Sequence, residues 1–134
     1  MITAGLINAG CAFTQDIDTG KIELPALEST DYIVEYEGYT SSYNVLTQTP
    51  EWVAYELTKE ETYGEAVREG KFFSPDERVL LPQPDDYDYR GSGWTRGHLA
   101  PAADFRWSDD AMWETFHFTN CCPQDEDLNG GQWN

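Results

Sequence analysis

Between residues 31 and 57, apolar and polar residues follow the alternating pattern of half-buried β-strands. Tyr32, Val34 and Tyr36 occupy every second position of a run that ends at a glycine. Two more strands are predicted at residues 39–46 and 51–57, the second of them directly after a proline. Because the connections between these runs are short, the pattern predicts an antiparallel sheet.

The second half of the chain combines predicted helices with a long loop. Residues 59–70 are rich in Glu and Lys and predict a helix, although the glycine at their centre weakens it. Residues 74–93 contain three prolines and two glycines, so we predict a long loop. A short helix is predicted at residues 108–114 with Ser108 as its N-cap, and a strand at residues 117–119. These elements predict an α+β fold with an antiparallel β-sheet core.

The composition is that of one folded domain with a strongly acidic balance. The chain has 134 residues, of which 40% are hydrophobic and 14% aromatic, and its net charge is −17. Such a charge argues against nucleic acid as a partner, because binding depends on neutralising phosphates. However, seven of the eight basic residues lie between residues 59 and 106. The distribution therefore allows a locally basic cleft on an acidic body.

The start of the chain suggests a leader rather than part of the domain. Residues 1–30 are predicted to be an N-terminal lead-in, which is either a remnant of a signal or lipoprotein segment or a plain disordered start. Residues 31–134 are predicted to be the domain. Small residues precede Cys11 as at the end of a lipoprotein signal, but the apolar stretch is short and broken. Cys11 is interpreted either as lipidated or as disulfide-bonded to Cys121 or Cys122. The resulting expectation is an extracytoplasmic protein.

Three motifs in the last third carry the candidate chemistry. The first runs Thr-Arg-Gly-His-Leu-Ala-Pro from residue 95, the second Thr-Asn-Cys-Cys-Pro-Gln from residue 119, and the third begins with Leu-Asn at residue 128. A histidine can activate water near neutral pH, and an arginine matches the shape of a phosphate. Mg²⁺ keeps several of its waters and can be held by a single side-chain amide. His98, Arg96 and Asn129 therefore suit the hydrolysis of a phosphodiester.

The order and spacing of these motifs resemble the DNA/RNA non-specific endonuclease family, the ββα-metal nucleases. The family signature is Asp-Arg-Gly-His followed by a proline, then Thr/Ser-Asn-x-x-Pro-Gln, then Leu-Asn-x-x-x-Trp. The chain also resembles the opening strands of the family at residues 38–44 and 52–58. The resemblance extends from about residue 32 to the last residue, and it implies a ββα-metal nuclease motif.

The resemblance implies a role for five residues. His98 would be the general base and Asn129 the one direct protein ligand of Mg²⁺ or Mn²⁺. Arg96 would contact phosphate, Arg68 would stabilise the transition state, and Asn120 would support the site. The family hydrolyses DNA and RNA to 5′-phosphate and 3′-hydroxyl ends, and it also includes homodimers.

Two departures from the family pattern affect these expectations. Thr95 stands where the family has the Asp of Asp-Arg-Gly-His. This difference predicts that the activity is altered in degree but not lost. The chain ends at Asn134, before the glutamate that follows the ligand asparagine by about two helical turns in the family. We therefore expect a final helix that is cut short, a domain that is incomplete at its C-terminus, and impaired activity.

Two alternative functions remain open from the sequence. The charge and the aromatic residues would suit an acidic extracytoplasmic binding module, whereas a catalytically weak nuclease-fold fragment would bind nucleic acid without cutting it. Other conspicuous residues are interpreted structurally: the acidic run at residues 85–88 as a solvated loop, His117, Cys121 and Cys122 as packing residues, and four tryptophans as core residues. Those tryptophans are Trp94, Trp107, Trp113 and Trp133.

Overall fold

The first sheet has three antiparallel strands in the order of the sequence. A computed structural model describes residues 23–28 and 30–132, so the predictions for the first 22 residues lie outside the described part. The strands are β1 (Ile33–Glu35), β2 (Thr40–Asn44) and β3 (Thr49–Ala54). Ser41 lies opposite Val34 on one side and Val53 on the other. All three strands predicted from the alternating pattern are confirmed.

A second, two-stranded sheet carries the motifs of the last third. Strand β4 (Thr95–His98) pairs antiparallel with β5 (Cys121–Gln124), and a π-helical turn (Leu128–Gln132) follows. This succession of two strands and a helical turn is the predicted ββα arrangement, and the α+β fold class is confirmed. The remaining elements are α1 (Asp86–Tyr89), α2 (Asp109–Glu114) and two 3₁₀ turns (Ala102–Phe105 and Phe118–Asn120).

Both short α-helices begin at side-chain caps that the sequence supplies. Ser108 Oγ accepts a hydrogen bond of 3.2 Å from the backbone N–H of Ala111, which confirms the predicted N-cap of α2. At α1, Asp85 accepts from the N–H of Tyr87, and Asp88 accepts from the N–H of Asp85. The acidic run is thus a capping box at the start of a helix rather than a plain solvated loop.

Two predicted elements are wrong. Residues 59–70 form turns instead of a helix. The chain at Gly64 runs against the backbone of Arg106, so closely that a Cβ on Gly64 would lie 1.8 Å from the Arg106 carbonyl oxygen, and that oxygen also accepts from the N–H of Ala66. Residues 117–119 do not form a strand, because the backbone passes into a 3₁₀ turn after a single bridge between His117 and Ser74.

Aromatic side chains dominate the core between the first sheet and α2. Tyr36 stacks on Tyr39 with ring centroids 4.3 Å apart, and Phe105 packs against Tyr39 edge-on. The prediction that the tryptophans are core residues is wrong for three of them: Trp94, Trp107 and Trp113 are 54%, 37% and 42% exposed, and Trp133 lies outside the described residues. The reason is that tyrosines and phenylalanines already fill the core. None of the described helices is both long and apolar enough to cross a membrane.

A buried polar cluster joins the first sheet to the segment that leads into β5. The hydroxyl of Tyr36 donates to Asp76 at 2.8 Å and also contacts Thr119 Oγ1, while Ser41 Oγ donates to the Thr119 carbonyl at 2.6 Å. Burial opposes the ionisation of Asp76, but hydrogen bonds from Arg78 and Tyr36 outweigh it and hold the pKa of Asp76 below its usual value. The cluster fixes the start of β5 against the first sheet.

Candidate active site

His98 ends strand β4 and is buried against two phenylalanines. Its ring lies 4.5 Å from the ring of Phe73 and 4.7 Å from that of Phe116, measured between centroids. No hydrogen-bond partner for the buried Nε2 atom occurs in the described part of the chain. Burial, reinforced by the cation of Arg68, lowers the pKa of His98 to about 4. The imidazole is therefore neutral at neutral pH, as a proton acceptor must be.

Close packing between β4 and β5 fixes the backbone on which His98 is carried. A Cβ on Gly97 would lie 1.9 Å from Cδ of Gln124, so this position requires a glycine as long as Gln124 keeps its place. The Gln124 side chain lies beside the strand and its Nε2 donates to the His98 carbonyl at 3.4 Å. Cys121 and Cys122, which pair with His98 and Gly97, lie in the packed strand, as predicted. Neither forms a disulfide within the described residues, and Cys11, the other partner considered for them, lies outside that part of the chain.

Asn120 lies in the core and does not line the cleft. It is completely buried, and its Nδ2 donates to the carbonyls of Ala100 and Thr115, both at 2.9 Å. Its Oδ1 accepts from the N–H of Ala100 at 2.8 Å. Its own carbonyl accepts from Leu99. The side chain thus ties Ala100, two residues after His98, to the end of α2, and the backbone carbonyl of Asn120 holds Leu99.

Asn129 reaches back from the helical turn to strand β4. Its Nδ2 donates to Thr95 Oγ1 at 2.9 Å and to the Arg96 carbonyl at 3.0 Å. Both amide hydrogens are therefore used, and among the described residues no donor reaches Oδ1. The acceptor atom of this side chain is left available to a ligand.

An open cleft of about 580 Å³ brings three of the five predicted residues together, namely Arg68, His98 and Asn129. The guanidinium of Arg68 lies 5.9 Å from the centroid of Phe116, the ring that also packs on His98. Arg106 and Glu126 line the same cleft, so in the described part of the chain two cations face one carboxylate. The distribution of basic residues allowed a locally basic cleft, and Arg68 and Arg106 line this one.

Arg96 is not brought to the cleft. Its Nη2 forms an ion pair with the Asp86 carboxylate and donates to the Asp86 carbonyl at 2.9 Å. The guanidinium also lies 5.3 Å from the centroid of the Tyr89 ring. Contact of Arg96 with phosphate therefore stays a prediction that requires this ion pair to open.

Sequence reasoning missed two features of the cleft. Glu126 gave no signal, because one acid among many in an acidic chain is not conspicuous. Thr95 was noted only as a departure from the family pattern, although its hydroxyl holds the amide of Asn129. Hydrogen bonding across 34 residues is a tertiary property that no local pattern encodes.

The oxygen that Asn129 presents at the cleft suits a divalent cation that keeps most of its waters. Within residues 23–28 and 30–132, no group of three or more His, Cys, Asp and Glu side chains could hold a metal ion together. A site of the structural zinc type therefore does not fit the described residues. A hard cation such as Mg²⁺ can be held through one amide oxygen, and the Asn129 Oδ1 at the cleft is such an oxygen.

Comparison with known proteins gives a consistent picture of this fold. The model of the DNA/RNA non-specific endonuclease family matches residues 19–134. Mitochondrial nuclease EXOG of Xenopus laevis is 41% identical over 101 residues, which are 75% of this chain and 28% of that protein. Human mitochondrial endonuclease G is 37% identical over 118 residues, which are 87% of this chain and 39% of that protein.

A solved structure gives the same result in three dimensions. A chain in the crystal structure of an EndoG/EndoGI complex superimposes with a TM-score of 0.75 and 32% sequence identity. The match covers 83% of this chain and 46% of that chain. This chain thus spans less than half the length of each of the relatives described.

The expectation of an extracytoplasmic protein is wrong. The relatives in Xenopus laevis and Homo sapiens are named as mitochondrial nucleases, and so is a relative in Saccharomyces cerevisiae that is 40% identical. The expectation depended on a short, broken apolar stretch before Cys11, which is a weak export signal. That stretch lies outside the described residues.

Proposed function

This chain belongs to the DNA/RNA non-specific endonuclease family, and we propose that it hydrolyses phosphodiester bonds in DNA and RNA at the cleft that contains His98. The observation that carries the proposal is the convergence of three kinds of group at this cleft. They are an imidazole nitrogen that has no partner among the described residues, an available amide oxygen and two arginines. Each of these is a group that the hydrolysis of a phosphodiester needs.

His98 is the general base in this proposal. Its Nε2 has no partner in the described part of the chain, and the low pKa keeps the imidazole neutral, so the nitrogen accepts a proton from the attacking water. Phe73 and Phe116 hold the ring in one orientation. The backbone on which the ring is carried is fixed in turn by Asn120 and by the pairing of β4 with β5.

Arg68 and Arg106 bind the phosphate backbone. Both line the cleft, and a guanidinium matches the anionic oxygens of a phosphate. Contacts of this kind carry no information about the bases, which suits cutting with little sequence preference. Attack at phosphorus that releases the 3′ oxygen leaves 5′-phosphate and 3′-hydroxyl ends, the products proposed for this chain.

Asn129 would hold Mg²⁺ or Mn²⁺ through its Oδ1. When bound, such a cation supplies charge neutralisation on the phosphate and stabilises the leaving oxygen. Glu126 is near enough to line the same cleft and adds a carboxylate there. The Nδ2 hydrogen bonds to strand β4 orient the amide before any ligand arrives.

Digestion of plasmid DNA and of RNA by this chain tests the proposal. We expect cutting of both with Mg²⁺ and no cutting with EDTA, because Asn129 by itself is too weak a ligand set to retain the metal against a chelator. End-labelling of the products should find 5′-phosphates. Salt-dependent binding of DNA without any cutting, in this chain and in a longer one, would instead support a nuclease fold that only binds.

Arg68→Gln is expected to raise the pKa of His98 from about 4 toward its ordinary value of 6.5, because the Arg68 cation disfavours the imidazolium. Burial remains, so the shift is partial. An NMR titration of the His98 ring protons measures it directly. The acidic limb of the kcat/KM profile should move to higher pH in step with that pKa, since a base must be unprotonated.

Arg106→Gln is the matched control for this shift. Arg106 lines the same cleft, but it does not contribute to the depressed pKa of His98. Both variants should weaken the salt dependence of DNA binding, each by about one released counterion. An equal rise in the His98 pKa in both variants would show that the net charge of the cleft, and not Arg68 in particular, controls the imidazole.

A further inference from the structure

We infer that Thr95 is a positioning residue that fixes the amide of Asn129 with its oxygen toward the metal. This inference rests on the proposed function, since it concerns the side chain proposed to hold the cation. The supporting observation is a chain of hydrogen bonds that runs from β5 through Thr95 to Asn129. No sequence motif assigns the threonine a role, because the family has an aspartate there.

The orientation of the Asn129 amide follows from what its two partners can accept. The Arg96 carbonyl can only accept a hydrogen bond, so the amide nitrogen of Asn129, and not its oxygen, must face it. The hydroxyl hydrogen of Thr95 is directed to the Gln124 carbonyl at 2.9 Å. The lone pair of Thr95 Oγ1 therefore accepts the second amide hydrogen, at 2.9 Å.

With both hydrogens held, a rotation of the amide by 180° is disfavoured. The flipped amide would place Oδ1 of Asn129 against the Arg96 carbonyl, oxygen to oxygen, and would leave Thr95 Oγ1 without its donor. The observed orientation instead leaves Oδ1 at the cleft without a donor from the described residues. Partners that orient a metal ligand in this way usually contribute 10- to 100-fold to metal affinity.

The hydroxyl also links the ligand to the strand that carries His98. Thr95 lies opposite Gln124 in the register of β4 and β5, and Gln124 is the residue packed on Gly97. One hydroxyl thus ties the helical turn of Asn129 to both strands. A side chain of the same shape without the hydroxyl would keep the packing and lose this connection.

Thr95→Val tests the inference, with Thr95→Ser as the conservative variant. Thr62→Val is the matched control, because the Thr62 hydroxyl also donates to a backbone carbonyl, at 2.8 Å, but at an exposed site in another part of the fold. Two quantities are measured on the full chain. The first is hydrogen exchange of the Asn129 side-chain amide by NMR without metal, assigned by its loss in Asn129→Asp. The second is Mn²⁺ affinity from an electron paramagnetic resonance titration.

We expect Thr95→Val to speed exchange of the Asn129 amide and to weaken Mn²⁺ binding by roughly 10-fold or more, whereas Thr95→Ser and Thr62→Val retain both properties. In steady-state kinetics the apparent Mn²⁺ requirement should rise while KM for DNA stays the same. Unchanged exchange in Thr95→Val would overturn the inference, and so would faster exchange with unchanged Mn²⁺ affinity. A wild-type chain that binds no Mn²⁺ would overturn the metal-binding role of Asn129 itself, and with it this role of Thr95.

Discussion

His98→Gln is expected to lower kcat/KM for DNA and for RNA by about 10²- to 10⁴-fold, the usual contribution of a general base. The substitution keeps a polar side chain of similar volume between Phe73 and Phe116 but removes the nitrogen that accepts the proton. His98→Ala should abolish cleavage as well, yet it would also leave a cavity beside those rings. The glutamine variant therefore separates chemistry from packing. Initial rates at saturating Mg²⁺ measure the effect.

His117→Gln is the control for this experiment, because it replaces the other histidine of the chain. His117 is half-buried, stacks on Tyr36 at 5.8 Å between ring centroids and does not line the cleft. We expect His117→Gln to cleave DNA and RNA at a rate near that of the wild-type chain. Rates are compared at a temperature at which near-UV circular dichroism shows both variants to be folded. If His98→Gln cleaved nucleic acid at the wild-type rate, His98 would not be the general base.

Asn120→Ala should reduce the free energy of unfolding by about 4 kcal/mol, because three buried backbone groups lose their partners at once. Those groups are the N–H and the carbonyl of Ala100 and the carbonyl of Thr115. The Asn120 side chain is completely buried, so water does not replace it without rearrangement. A domain whose stability is about 5 kcal/mol, the lower end of the usual range, would then be partly unfolded. Urea denaturation followed by fluorescence measures the loss.

Asn44→Ala is the matched control for the loss of stability. Asn44 also makes three hydrogen bonds, donating to Glu51 and accepting from the N–H groups of Leu46 and Thr47. It lies at the end of β2, however, and these hydrogen bonds are exposed. Because water can replace these partners, we expect a cost of about 1 kcal/mol or less. Equal costs in the two variants would contradict the assignment of Asn120 as a buried clamp.

Where local signals were strong, the sequence predicted the structure well. The alternation at Tyr32, Val34 and Tyr36 located the first strand, and the capping signal at Ser108 located α2. Such signals work because a strand of period two and a helix N-terminus need particular residues at particular spacings. The helix predicted at residues 59–70 is wrong because a contact distant in sequence outweighed the local signal. Its composition favoured a helix, but contact with the backbone of Arg106, 42 residues from Gly64, decided its conformation.

For the candidate site too, some features could be predicted from the sequence and others could not. The motif pattern identified His98 and Asn129. The clustering of basic residues was compatible with a basic cleft, and Arg68 and Arg106 line one. The motif pattern also named Arg96 as a site residue, but an ion pair with Asp86 holds Arg96 away from that cleft. The sequence shows that an arginine stands two residues before the histidine. It does not show which acid ten residues earlier will be within reach of the guanidinium.

By itself, the sequence determined the family, the three strands of the first sheet and the kinds of chemical group available, because these depend on residue type and spacing along the chain. Only the tertiary structure decided which groups face one another. The depressed pKa of His98 comes from burial among side chains distant in sequence. The orientation of the Asn129 amide comes from a strand 33 residues earlier. Desolvation and hydrogen-bond direction are set by neighbours in space, so no linear pattern contains them.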